Sequence, residues 1–102
     1  MDISARHESG RLLVILVGRI DEAGAARLKT ELAAAETAEV REVVLDVGGV
    51  TFIGSAGIGK LLVLYNKVAK RNVAIRLVNV PADIFSLFHS MKLDQLFSLS
   101  KK

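Results

Sequence analysis

At 102 residues, 51% of them hydrophobic, the chain suits one domain with a real core and leaves little sequence for a deep catalytic cleft. It has no cysteine, which excludes disulfides and thiolate metal sites and suits a reducing compartment. Its net charge of +3 is spread along the sequence with only 5% aromatics, so it reads as a solvated surface, next as a match for a partner with an acidic face, and only distantly as a nucleic-acid footprint.

Residues 1–6 are polar and alternating, unlike a signal peptide, and no apolar run reaches the roughly 18 residues of a membrane helix. The expected location is the cytoplasm. Ile3-Ser4-Ala5-Arg6-His7 alternates as a half-exposed strand does, and Glu8-Ser9-Gly10 reads as a tight turn. Residues 12–17 are a continuous apolar run rich in branched side chains, the pattern of a strand covered on both faces. The two form an antiparallel hairpin, the first strand at or near an edge and the second central. Gly18 ends the second strand. Asp21 is placed to cap a helix from Glu22 to about Glu36, with Ala25, Leu28, Leu32 and Ala35 inward and Arg27, Lys29 and Glu31 outward.

Residues 43–47 predict a second buried strand ending near Asp46, broken by Gly48-Gly49, and residues 50–53 a short extended bridge. After Gly54-Ser55-Ala56-Gly57 the spacing predicts a helix with Ile58, Leu61, Leu62, Tyr65 and Ala69 inward, closed by Lys70-Arg71-Asn72 at the negative end of its dipole. Residues 73–78 form the fourth strand. Pro81 suits the first turn of a third helix that buries Ile84, Leu87, Phe88 and Met91, and residues 93–97 are a closing segment of no definite type. The order β-β-α-β-α-β-α predicts a single α/β domain over residues 1–102. Its mixed four-stranded sheet has an N-terminal antiparallel hairpin, then parallel βαβαβ, and is covered by helices.

Gly54-Ser55-Ala56-Gly57-Ile58-Gly59-Lys60 satisfies the first seven positions of the phosphate-binding loop G-x-x-x-x-G-K-[ST]. The eighth, whose hydroxyl holds magnesium, is Leu61, and no apolar strand ending in Asp follows the loop. Nucleotide hydrolysis is therefore not expected, and the glycines serve the turn and close helix packing. His7 and His89 lack partners at metal-ligand spacing, and Ser55 is not in the G-x-S-x-G of a nucleophile elbow. No catalytic residue, metal or cofactor is expected. Two compatible readings attach to Ser55: a helix N-cap, and a phosphate acceptor at the positive end of a helix.

Three stretches then carry a resemblance: Val43-Val44-Leu45-Asp46-Val47, Gly49-Val50-Thr51-Phe52-Ile53 and Gly54-Ser55-Ala56-Gly57-Ile58-Gly59. Secondary echoes are Val17-Gly18-Arg19-Ile20-Asp21 and Met91-Lys92-Leu93-Asp94-Gln95-Leu96-Phe97. Together they resemble the STAS domains of bacterial anti-sigma-factor antagonists over nearly the whole chain. The resemblance implies a non-enzymatic partner switch. Ser55 aligns with the family serine phosphorylated by a partner kinase that is also the anti-sigma factor and has a histidine-kinase-like ATP-binding fold. The unphosphorylated antagonist binds that kinase and frees the sigma factor, and a serine phosphatase resets it. The implied contact surface is Gly54, Ser55, Ala56, Gly57, Gly59 and Lys60, with no direct contact to nucleic acid and no membrane insertion. Gly54 stands where the family carries an acid, and Ala56 where it carries a second serine. The alternative is a non-phosphorylated STAS module, a scaffold or the cytoplasmic subunit of a lipid-transport complex.

Overall fold

A computed structural model of the chain describes residues 1–33 and 39–102. β1 (Asp2–Glu8) and β2 (Arg11–Ile20) form the antiparallel hairpin, with Glu8 opposite Arg11 across a two-residue turn. Ser9 and Gly10 both have positive φ, 46° and 82°, as a type I′ turn requires to match the twist of its strands. There follow α1 (Glu22–Leu32), β3 (Glu42–Ile53), α2 (Ser55–Ala69), β4 (Ala74–Val80), α3 (Ala82–Ser90) and β5 (Ser98–Lys101), with a 3₁₀ turn at Leu93–Gln95. The predicted end of the first helix at Glu36 and the inward position of Ala35 lie outside the described residues.

The strands lie in the order β1-β2-β3-β4-β5, and every pair after the hairpin is parallel. The expected hairpin-then-parallel sheet is present, with β1 at an edge and β2 interior. The sheet has five strands rather than four. Ser98-Leu99-Ser100-Lys101 is too short and polar to announce a strand, and pairing with β4 makes it one.

The three crossovers all step the same way along the sheet, and right-handed crossovers of one direction put their helices on one face. Burial follows. Leu12, Val14 and Leu16 of β2, Val43, Leu45 and Val47 of β3, and Ile75 and Leu77 of β4 join the core with Leu28, Leu61 and Phe88 from the helices. On the opposite face Ile15 and Val17 are 41% and 45% exposed. The reading of residues 12–17 as covered on both faces is therefore corrected: one face is dry and the other wet.

Other boundaries shift for identifiable reasons. β2 runs through Gly18 (φ 106°) to Ile20, and β3 continues across Gly48-Gly49 as an irregularity in register rather than a break. Asp46 stabilises that irregularity: its Oδ1 accepts from the Gly48 N–H at 3.0 Å and its Oδ2 from Asn79 Nδ2 at 3.1 Å. The inner face of α2 is Gly57, Ile58, Leu61, Leu64 and Val68; Leu62 and Tyr65 are half-buried and Ala69 is exposed. In α3 only Ile84 and Phe88 are buried, and Leu87 and Met91 face outward. Leu93 and Phe97 fill the space instead, with the Phe97 ring edge-on to Tyr65 at 5.6 Å. Pro81 is the cap of α3 rather than a member of its first turn.

Candidate functional site

β2 and β3 end together. Ile20 lies opposite Ile53, and the Gly54 N–H donates to the Ile20 carbonyl at 3.0 Å. Each strand passes at once into a helix, β2 through Asp21 into α1 and β3 through Gly54 into α2. Two helix N-termini, each with backbone N–H groups that lack intrahelical partners, therefore sit at the same end of the sheet.

Gly54, with φ −95° and ψ 176°, is the cap of α2, and Ser55 is its first helical residue. The reading of Ser55 as a side-chain N-cap is thus corrected by one position. A cap is defined by its extended backbone, and here the residue in that conformation has no side chain to accept the first-turn N–H groups. There is also no acidic residue in the first turn. The positive end of the α2 dipole is left without a side-chain counter-charge of its own, and Ser55 stands exposed at it.

The six predicted contact residues separate by environment. Ser55 and Ala56 are exposed, and Gly54, Gly59 and Lys60 are half-exposed. Gly57 is buried: a Cβ on it would stand 2.6 Å from Ile20 Cγ2 and 3.1 Å from Ile53 Cγ1. It sets the distance between helix and sheet and presents nothing to a partner. Ile58 and Leu61 belong to the core. The loop has a neighbour that sequence spacing did not single out. Phe52, 40% exposed, lies beside Gly54, and the Arg19 guanidinium sits over its ring, 4.3 Å from the centroid. Arg19 and Phe52 face each other only through the β2–β3 register, which no local pattern encodes.

The glycine-rich stretch is not wrapped as a phosphate loop. Residues 55–60 are already helical, and Ile58 donates to the Gly54 carbonyl at 3.1 Å. From there on the N–H groups are committed to carbonyls four residues back. His7 is exposed on the edge strand, and His89 Nδ1 lies 2.7 Å from Asp94 Oδ2. Among the described residues no group of three or more metal-ligating side chains occurs, and no helix is long and apolar enough to cross a membrane.

Among solved structures the fold is similar to that of an anti-sigma factor antagonist from Mycobacterium paratuberculosis. That likeness has 24% identity over 99% of this chain and 86% of the other, with a TM-score of 0.86. The phosphorylated form of the Bacillus cell fate determinant SpoIIAA is similar at 14% identity, over 99% of this chain and 93% of the other, with a TM-score of 0.78. A part of the murine anion transporter Slc26a9 is similar at 22% identity, over 88% of this chain and 15% of the other, with a TM-score of 0.74. At these identities the likeness establishes the fold. The family model for the STAS domain matches residues 2–102, the extent of the five-stranded sheet and its helices, and on that match the chain belongs to the STAS-domain family.

Proposed function

We propose that this domain is an anti-sigma-factor antagonist. It binds an anti-sigma factor with serine-kinase activity through the start of α2, and phosphorylation of Ser55 releases it. The observation that carries this reading is the open N-terminus of α2: an exposed serine as first helical residue, a glycine cap, and no acid in the first turn. A phosphate on Ser55 is stabilised by the helix dipole, so the fold tolerates it. The same phosphate adds about −1.5 to −2 charges to the surface where a partner sits. Without it, Gly54, Ala56 and Gly59 leave room for a partner backbone to approach closely. A serine phosphatase resets the switch, and the domain itself catalyses nothing.

Mass spectrometry after incubation with the cognate kinase and ATP tests the modification. Phosphate is expected on Ser55 rather than on Thr51, Ser86, Ser90 or Ser98. Titration of the kinase tests the consequence. Ser55→Asp should bind about a hundredfold more weakly than the unmodified chain, because an unpaired charge buried at an interface costs several kcal/mol. Equal affinity, with the fold intact by circular dichroism, would place the interface elsewhere.

One observation favours a second reading: the family acid before the serine is Gly54 here. If phosphate is found on no serine, the domain is a constitutive STAS module, and a pull-down with and without ATP recovers the same partner.

A further inference from the structure

α1 and α2 lie against each other on the covered face of the sheet, and a groove runs between them. On the α2 side it is lined by Ala56, Gly59, Lys60, Val63 and Lys67, on the α1 side by Glu22, Ala25, Ala26, Lys29 and Leu32. The depression nearer the two N-termini is open to solvent and has a volume of about 510 Å³. Three features distinguish it from an ordinary seam between helices. Small side chains leave it open: a Cβ on Gly59 would meet nothing within 4 Å. Val63 is 45% exposed, although it sits on a helix whose other face is core. Among the described residues its walls carry Lys29 and Lys60 against Glu22, and Glu22 lies at one end.

We infer that this groove receives an acidic amphipathic helix of the partner protein. The inference rests on the reading of this domain as a protein-binding module and extends it to the chemistry of the bound segment. A helix fits where an extended segment does not. Past their first turns both walls are helices whose backbone groups are bonded internally, so an extended segment would find few main-chain partners along the groove, whereas a helix satisfies its own. On α2 the open part of the groove runs from Ala56 to Val63, seven residues and about 10 Å, which matches roughly two turns of a bound helix. Ala26, Ala56 and Gly59 let it approach, and its apolar stripe covers Val63. The lysines then select acidic flanks and fix the register, a complementarity that acts on association rate and specificity.

The test uses the full chain, labelled with ¹⁵N, and two synthetic helical peptides of about 18 residues, roughly 27 Å long. Both carry the same alanine–leucine stripe, one flanked by glutamates and the other by lysines. The acidic peptide should shift the amides of Ala26, Lys29, Gly59, Lys60 and Val63. The double variant Lys29→Glu, Lys60→Glu should weaken it at least about tenfold and gain affinity for the basic peptide. Ile15→Thr, on the bare sheet face, should leave the titration unchanged. Equal binding of the two peptides to the unaltered chain would overturn the inference. So would shifts centred on Ile15 and Val17, or none at about 1 mM peptide. Phosphatidylglycerol vesicles that shift the lysine amides when the acidic peptide does not would assign the surface to a membrane instead. Circular dichroism confirms that the double variant is folded. Ser55 phosphorylation is scored separately by mass spectrometry, so the groove and the switch can fail independently.

Discussion

The two helices that leave the ends of β2 and β3 begin alike and then treat their dipoles in opposite ways. α1 starts Asp21-Glu22-Ala23-Gly24 and α2 starts Gly54-Ser55-Ala56-Gly57. In both, the residue three past the cap is a buried glycine pressed onto the end of β2. A Cβ would stand 2.8 Å from the Arg19 carbonyl oxygen at Gly24 and 2.6 Å from Ile20 Cγ2 at Gly57. The cap differs. Asp21 Oδ1 accepts the Gly24 N–H at 2.9 Å, and Glu22 adds a carboxylate to the first turn. At α2 the cap is bare, the first turn has no acid, and a serine is exposed. The shared glycine fixes how closely each helix sits on the sheet. The cap decides whether the positive end of the helix is consumed by the fold or left for an incoming charge.

The largest effect on stability is expected where the two starts agree. Gly57→Ala forces a methyl group against Ile20, which is 1% exposed and branched at Cβ, so the contact cannot be relieved by a flexible chain end. Overpacking of this kind costs about 1–3 kcal/mol, against which the better helix propensity of alanine returns up to about 1 kcal/mol. Chemical denaturation should show a clear net loss, and Gly57→Val a larger one. A neutral Gly57→Val would mean that α2 can lift off the sheet and that the shared glycine is not a packing device.

Where the starts differ, Asp21→Ala should cost about 1 kcal/mol, because it strands the Gly24 N–H and removes a charge from the favourable end of α1. For a domain of this size that lowers the melting temperature by roughly 4–8 °C. An unchanged melting temperature would show that α1 is no better closed than α2, and the contrast between the two starts would lose its meaning.

Much of this was legible in the sequence, and the failures have physical causes. The hairpin, the parallel order and Asp21 as a cap follow from alternation, apolar runs and the chemistry of one side chain. Residues 12–17 misled because a run of apolar residues records local hydrophobicity and not the number of layers. The wet side of Ile15 and Val17 follows from three crossovers stepping in one direction. Gly48-Gly49 reads as a break because a strand end and a strand irregularity have the same composition, and only pairing through Asp46 and Asn79 separates them. At the site, the exposed serine at a helix start was visible, but the cap was assigned one residue late. A glycine cap has no side chain to signal it. Arg19 over Phe52, and the groove between α1 and α2, join residues some 30 positions apart and have no local signature.

Two residues past Gly57 the same substitution should change sign. Gly59→Ala adds a methyl group to open space, so no contact is strained and the helix gains about 0.5–1 kcal/mol. The pair Gly57→Ala and Gly59→Ala, compared by urea denaturation, separates packing from propensity inside one helix. A loss at both positions would mean that the seam between α1 and α2 is tighter than its geometry.

The smallest effect belongs to Ser55 itself. Were its hydroxyl a capping group, Ser55→Ala would cost about 1 kcal/mol, as Asp21→Ala should. As the first helical residue, with Gly54 in the cap position, Ser55 contributes no such bond. Alanine has a slightly better helix propensity, so the change should fall within about 0.5 kcal/mol of zero. Thermal melts of Ser55→Ala and Asp21→Ala under one buffer condition decide the matter. Equal losses would move the cap back to Ser55 and close the N-terminus of α2. A loss confined to Asp21→Ala leaves Ser55 with no structural duty there.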